Sequence, residues 1–271
     1  MPVIAVIGAQ WGDEGKGRVV DLVTEKADIV VRYSGGDNAG HTVINDLGKF
    51  ALHLIPSGIF SAHAVSVIAN GVVINPKALF QEMDMLTSKG VDTSPARLTI
   101  SDRAHLIMPY HMILDELEEK ALGSKAIGTT RKGIGPVYSD KIARHGIRIG
   151  DLLDKKAFKK QLAAILNQKN LILTRIYGAE PLSLEKIYNE YVEYGSRLQP
   201  YVRETTLVLN EALENRVEGV YREALADLFS GAEDFKHVVK MLKLREVYRH
   251  LSNAADRGDE AANVIADIVV K

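Results

Sequence analysis

The sequence predicts an α/β protein: a mainly parallel sheet of the phosphate-loop type, flanked by helices, with a C-terminal α-helical hairpin. Three observations point to it. Short β-branched runs alternate with stretches of helical spacing through the first half of the chain. A glycine-rich turn separates the first such run from the first helical stretch. From about residue 155 onward the pattern is helical, and the last stretch, 236–271, keeps a single seam of its own. Strands alternating with helices imply a parallel sheet covered on both faces.

Residues 2–8, PVIAVIG, read as the first strand, and GKGRVVDLVTEKA as the helix after the turn. DIVVRY at 28–33, the run from 65 to 70 and RLTIS at 97–101 read as further buried strands. PKALFQEMDMLTSKG has helical spacing and opens on proline, which suits a helix start because its missing N–H is not needed there. Residues 110–122 are expected to be helical, and 123–138, GSKAIGTTRKGIGPVY, to be a loop. KKAFKKQLAAILNQK, SLEKIYNEYVEYGSRL and RETTLVLNEALENRV are expected as helices.

The chain has 271 residues, a formal net charge of −1 and no cysteine. The charge argues against binding nucleic acid through a bulk basic field. Without cysteine there are neither disulfides nor thiolate metal sites. No apolar run reaches the length of a membrane span, and the start lacks the marks of a secretory signal, so a cytoplasmic location is expected.

Chemistry concentrates in three loops. QWGDEGKG at 10–17 follows the first strand and approximates the GxxxxGK[ST] phosphate loop, with Gln10 for the first glycine and Gly17 for the hydroxyl residue. Gly12, Gly15 and Gly17 allow backbone amides to face a phosphate, the next helix aims its positive end there, and Lys16 can reach the oxygens. An ordinary loop uses the missing hydroxyl to help hold Mg²⁺. Asp13 can replace it; a carboxylate in a phosphate cradle repels the ligand unless it serves a metal or a proton transfer. GGDNAGHT at 35–42 follows the second strand, where α/β proteins bind ligands. Its Asn38 offers a donor and an acceptor, and His41 an acid near neutral pH. Taken alone, this loop also fits a turn with an exposed histidine. GTTRKGIGP at 128–136 supplies the hydroxyls of Thr129 and Thr130 and, with Arg131, Lys132 and the later Arg144, cations suited to phosphate. Taken alone, that cluster also fits a solvated basic loop.

WGDEGKG at 11–17, NAGHT at 38–42, HLIPSGI at 53–59, NGVVI at 70–74, and IGTT with GIGP at 127–136 stand in an order that resembles the adenylosuccinate synthetase family. The resemblance covers about residues 1–210, read as an α/β nucleotide-binding domain. It implies a ligase that joins L-aspartate to IMP at the expense of GTP. Asp13 and His41 match the catalytic pair: Asp13 takes the N1 proton of IMP, the 6-oxygen attacks the γ-phosphorus, and His41 assists as an acid. The amine of aspartate then displaces phosphate from 6-phosphoryl-IMP. Gly12, Asp13, Glu14, Gly15, Lys16, Gly17, Gly40, His41 and Thr42 match GTP-binding positions. Asp13, Lys16, Asn38, His41, Thr130 and Arg144 match IMP-binding positions. Asp13 and the Gly40 carbonyl match the ligands of Mg²⁺, the implied cofactor. Arg144 matches an arginine lent by a neighbouring subunit, so the resemblance implies a homodimer.

After Asn215 the family's GAQG loop, its aspartate-binding loop and its guanine-reading motif are not found in this sequence. Residues 211–271 instead resemble the C-terminal helices of PhoU-like phosphate-transport regulators. Met241, Leu244, Tyr248, Leu251, Ala255, Gly258, Ala262, Ile265 and Val269 follow a 3-4-3-4 spacing, the seam of a bundle helix. Asp256 and Glu260 on the opposite face have a spacing such proteins use for metal, although a solvated polar face explains it as well. Two outcomes follow: a ligase of reduced turnover, or a nucleotide-binding module joined to a helical interaction module without catalysis.

Overall fold

The computed structural model describes residues 3–7 and 16–214. The phosphate-loop residues Gly12, Asp13, Glu14 and Gly15, and the expected helical hairpin from 215 onward, lie outside the described residues. The chain falls into two compact units, Met1–Thr205 and Thr206–Lys271. Of the second, only a helical stretch to residue 214 is described.

The centre of the first unit is a four-stranded parallel sheet. Strands β1 (Ile29–Arg32), β4 (Val65–Ile68), β6 (Leu98–Ser101) and β8 (Val202–Arg203) stand in that order. A hairpin of β2 (His41–Asn45) and β3 (Gly48–Leu52) follows β1. A separate two-stranded parallel piece pairs β5 (Val73–Ile74) with β7 (His105–Leu106). All four residues of β6 are buried, as are the last three of β4, so the polar Ser66, Thr99 and Ser101 are buried along with their apolar neighbours, as in a sheet covered on both faces. Each fully buried Leu or Ile contributes roughly 1.5–3 kcal/mol. The core gathers Ile68, Leu98 and Ile100 with Leu79 and Phe158 from the covering helices.

The helices are α1 (Lys16–Thr24), α2 (Pro76–Ser88), α3 (Pro109–Leu122), α4 (Ile134–Ile142), α5 (Lys155–Arg175) and α6 (Leu184–Leu198). Helix α2 starts where its sequence says it must: Pro76 is its first residue, and the Asn75 side chain accepts hydrogen bonds from the amides of Lys77 and Ala78. Asp154 caps α5 and Ser183 caps α6 in the same way. Tyr191 on α6 donates its hydroxyl to the Ile107 carbonyl at 2.7 Å, tying the helical layer to the loop after β7.

Three expectations are corrected. Residues 3–7 are not a strand in this structure: they are unpaired, with Val3 75% and Ile7 71% exposed. A β-branched run becomes a strand only where a neighbour completes its ladder, and the described sheet finds its partners elsewhere. The expected loop 123–138 ends early, because α4 begins at Ile134. Gly133 adopts a left-handed conformation just before it, and Pro136 sits in the first turn, where proline is tolerated. The segment from 203 opens as part of strand β8 before turning helical at 205, because pairing with β6 outweighs local helix propensity.

One buried carboxylate organises the region between β3 and β4. Glu82 of α2 accepts the amides of His53, Leu54 and Ile55, the start of the HLIPSGI segment. Burial pushes its carboxyl upward, and the three backbone hydrogen bonds oppose that. Replacing Glu82 with alanine leaves three amides without their acceptor. A loss of about 3–5 kcal/mol in urea-denaturation stability is expected, with a smaller loss for Glu82→Gln, which keeps one carbonyl oxygen.

Candidate functional site

The GGDNAGHT loop leaves the carboxyl end of β1 and is held from three sides. Arg32 donates to the Gly36 carbonyl at 2.6 Å and also to the His53 carbonyl. The Tyr138 hydroxyl accepts the Gly35 amide at 2.9 Å and donates to the Gly71 carbonyl at 2.8 Å, so α4 joins this loop to the NGVVI segment. The Lys132 ammonium donates to the Asp37 carbonyl at 2.7 Å and lies 3.5 Å from its carboxylate. Lys132 thus braces this loop in the structure.

His41 opens β2, and its ring lies against the first turn of α1. A Cβ on Gly17 would fall 2.6 Å from His41 Cγ and 2.7 Å from His41 Cβ. This contact gives a physical reason for glycine where a phosphate loop ordinarily carries Ser or Thr: the imidazole fills the space a side chain would need. Lys16 is the first residue of α1, so the expected cation and acid sit at neighbouring positions of one helix N-terminus. Asp21, a turn further along, has its carboxylate 3.9 Å from His41 Nε2. Burial lowers the His41 pKa, and Asp21 pulls the other way. Thr42 is exposed beside Arg18 and Asp21. Gly40 packs against His53, whose Nε2 would lie 2.8 Å from any Cβ there.

A cleft of about 610 Å³ opens between α3, α4 and α5, with Asn38, Thr129 and Thr130 on its wall beside Asp115, Glu119 and Lys169. Asn38, Thr129 and Thr130 are among the residues the sequence singles out; Asp115, Glu119 and Lys169 are not. The Thr129 hydroxyl donates to Asp115 at 2.8 Å, and the Gly133 amide donates to the other Asp115 oxygen at 2.8 Å. Thr129 therefore supports the loop, although both Thr129 and Thr130 are exposed. Gly133 must be glycine: φ is 76° and a Cβ would meet the His111 carbonyl carbon at 2.8 Å. Arg144 is exposed at the end of α4 with φ 61° and does not line the cleft of its own chain.

Beneath the cleft, Asp140 of α4 joins two other helices. Its Oδ2 pairs with His111 Nε2 of α3 at 2.9 Å, and its Oδ1 accepts the Lys169 ammonium of α5 at 2.6 Å. Burial works to raise the Asp140 carboxyl, but the hydrogen bonds from His111 and Lys169 prevail and hold it below the ordinary range. Burial holds the His111 imidazole low, against the pull of Asp140. His105 of β7 is also buried; burial, with Lys141 and Arg148 adding to it, lowers its pKa to about 4.

The described residues contain no cluster of three or more His, Cys, Asp or Glu side chains able to hold a metal. Of the expected magnesium ligands, only the Gly40 carbonyl is described. A carboxylate with a backbone carbonyl is the hard-oxygen chemistry Mg²⁺ takes beside phosphate oxygens. No described helix is long and apolar enough to cross a membrane.

A parallel sheet flanked by helices, with loops at its strand ends and a histidine packed on a helix N-terminus, defines an α/β domain. Residues 5–228 match the model of the adenylosuccinate synthetase family, and the chain belongs to that family. It is 54% identical over 213 residues to the adenylosuccinate synthetase of Dehalococcoides mccartyi, covering 79% of this chain and 50% of that protein. It is 55% identical over 214 residues to that of Thermobifida fusca, with the same two shares. The Clostridium botulinum enzyme is 50% identical over 228 residues, 84% of this chain and 53% of its own. Among solved structures, the fully ligated adenylosuccinate synthetase from Plasmodium falciparum superposes with a TM-score of 0.67 at 38% identity, covering 77% of this chain and 48% of that one. The chain spans about half the length of the curated relatives it matches.

Two outcomes are expected from this geometry. Gly17→Ala forces His41 away at atoms too close to its backbone to swing aside, costing about 1–3 kcal/mol in denaturant unfolding and displacing the His41 ring signals in NMR spectra. Acid destabilises the fold. His105 and His111 are held neutral when folded, so their contribution is complete above the ordinary histidine pKa of about 6.5 and is lost as pH falls toward 4. Asp140, held low, adds a loss below the ordinary Asp pKa of about 3.9. Scanning calorimetry between those pH values should show Tm falling steadily; a flat profile contradicts the assignment.

Proposed function

We propose that this chain is the IMP-activating part of an adenylosuccinate synthetase, binding IMP and GTP and directing the γ-phosphoryl group to the 6-oxygen of the purine. Family membership supports the activity, and one observation supports the place: Asn38 and Thr130, distant in sequence, face the same cleft beside the loop that carries His41. In this assignment Asp13 removes the N1 proton of IMP, the 6-oxygen attacks the γ-phosphorus, and GDP departs. His41 stabilises the transferring phosphoryl group, and the amine of L-aspartate then displaces phosphate. Most of that work is positioning and charge stabilisation. Gly12, Glu14, Gly15, Lys16, Gly17, Gly40 and Thr42 cradle the triphosphate. Asp13 and the Gly40 carbonyl would hold Mg²⁺, which would neutralise charge on the phosphates.

The exposed Arg144, outside its own cleft, fits the arginine that reaches a neighbouring copy's IMP, so a homodimer completes the site. The family match runs to residue 228, into the expected 211–271 segment, so only the stretch beyond it, which carries the seam from Met241 to Val269, is assigned to a PhoU-like segment. A nucleotide-binding module without catalysis is the second possibility, favoured by the missing guanine- and aspartate-reading motifs.

Thermal unfolding with IMP and with Mg²⁺–GTP, alongside a coupled assay for adenylosuccinate, tests the assignment. Both ligands should raise Tm, since a ligand bound only by the folded state stabilises it. Adenylosuccinate should form at least about a hundredfold more slowly than with a full-length relative, equivalent to roughly 3 kcal/mol of lost transition-state contacts. No Tm response to either ligand would falsify the assignment; a full-length rate would show that the missing motifs are not needed.

A further inference from the structure

Helix α4 ends in a conformation that its residue does not favour. The His145 amide donates to the Asp140 carbonyl at 2.8 Å, and the Arg144 amide to the Lys141 carbonyl at 3.2 Å. These two bonds make the common glycine ending of a helix, in which the residue after the cap is left-handed. Here that residue is Arg144, with φ 61°. A Cβ is disfavoured in such a conformation, so it persists only where the surroundings impose it.

The surroundings are two fixed ends and a ring. Upstream, the Asp140 side chain ties α4 to His111 and Lys169, and the Lys141 ammonium donates to the Asn70 carbonyl at 2.6 Å. Downstream, the chain runs antiparallel to β7: the Leu106 amide donates to the Ile147 carbonyl and the Ile149 amide to the Ala104 carbonyl, both at 2.8 Å, with His105 opposite Arg148. Only residues 143–146 join the helix to this pairing. Against them packs the ring of His105, which is buried. A Cβ on Gly146 would collide with His105 Cδ2 and lie 3.0 Å from Nε2, so the turn rides directly on the ring. The Nδ1 atom of that ring has no hydrogen-bond partner among the described residues. Burial, with Lys141 and Arg148 adding to it, keeps the imidazole uncharged at neutral pH. His105 therefore acts on the turn through its shape rather than through a charge or a hydrogen bond from Nδ1.

We infer that His105 is a positioning residue for Arg144: its ring, wedged against Gly146, fixes the turn from which the exposed Arg144 guanidinium is presented outside its own cleft. The inference rests on the assignment of Arg144 to the IMP of a neighbouring copy, and adds the residue that sets its reach. A long side chain that must meet a ligand across a subunit boundary gains from a backbone already held in the right place, because less ordering is left to be done on binding. Glycine at 144 would relieve the backbone but supply no guanidinium. The left-handed arginine is thus held by a ring on one side and by the paired strand and anchored helix at its two ends.

The test uses the full chain and measures IMP and Mg²⁺–GTP affinity by calorimetry for Arg144→Ala, His105→Ala and Gly146→Ala, and for Gly146→Ala combined with each of the other two. Arg144→Ala should weaken IMP binding by roughly tenfold, the scale of one hydrogen bond to a charged group. Gly146→Ala pushes the turn off the ring and His105→Ala removes its support. Each should weaken IMP binding by roughly three- to fivefold, because the contact is displaced rather than deleted. Mg²⁺–GTP affinity should stay unchanged in all of them. Added to Arg144→Ala, Gly146→Ala should cost nothing further, and added to His105→Ala it should restore IMP affinity in part, since the methyl enters the vacated space. Losses that multiply with Arg144→Ala, or that extend equally to Mg²⁺–GTP, overturn the inference and make His105 a brace of the fold alone. Unaltered IMP affinity in Gly146→Ala beside a weakened Arg144→Ala overturns it too, while leaving the arginine assignment in place. If His105→Ala does not fold, the cycle of Gly146→Ala with Arg144→Ala decides by itself. No effect of Arg144→Ala on IMP affinity removes the arginine assignment, and the inference with it.

Discussion

The Asp140 carboxylate is shared by two helices besides its own, and the cleft exists because of that sharing. His111 of α3 and Lys169 of α5 meet it at 2.9 and 2.6 Å in a buried setting. A charge taken out of water costs several kcal/mol unless partners restore what hydration supplied. Here each carboxylate oxygen has its own partner, so the cost is offset only when α3, α4 and α5 all stand in register. A misplaced helix would leave a buried, half-satisfied charge. The interaction thereby specifies an arrangement, in a region where the apolar cluster of Val73, Ile107 and Val137 is small. Helix α3 carries Asp115 and Glu119, and α4 carries Tyr138. What fixes these helices also fixes the loops that Asp115, Glu119 and Tyr138 hold.

The other side of the site depends on a steric constraint. His41 rests on the backbone of Gly17, so the acid and the phosphate-loop helix approach more closely than any residue with a side chain would permit. Glu82 and Arg32 secure the approach from behind by tying down the amides and the carbonyl around His53. The catalytic histidine of the proposed reaction is thus placed by packing and backbone hydrogen bonds, with its Nε2 making no hydrogen bond among the described residues.

Much of this was legible in the sequence. Strands β1, β4 and β6 and helix α2 appear where β-branched runs and a proline start put them, because strand composition and a helix's first residue are local signals. The three loops were found through glycine and charge, and two of them contribute to one cleft. What escaped was of two kinds. The run at 3–7 has strand composition but no partner in the described sheet, and pairing is not a property of a single segment. Asp140, His111 and Lys169 come from three helices at unrelated spacings, and no local pattern announces them. Asp115 and Glu119 did leave a signal, two carboxylates at i and i+4 just before a glycine-rich loop, yet such pairs usually mark a solvated helix face. In this structure Thr129 donates to the Asp115 carboxylate, and Lys132 donates to the Asp37 carbonyl with the Asp37 carboxylate 3.5 Å away.

A double-mutant cycle on Asp140 and Lys169, measured as unfolding free energy for Asp140→Asn, Lys169→Met and the pair together, reaches the interaction on which the rest depends. If Asp140 organises the three helices, each single change is costly because it strands its buried partner, and the double change costs less than the sum, with a coupling of at least about 1 kcal/mol. Costs that add to within about 0.5 kcal/mol would contradict it, and would mean that the three helices hold their places by apolar packing alone.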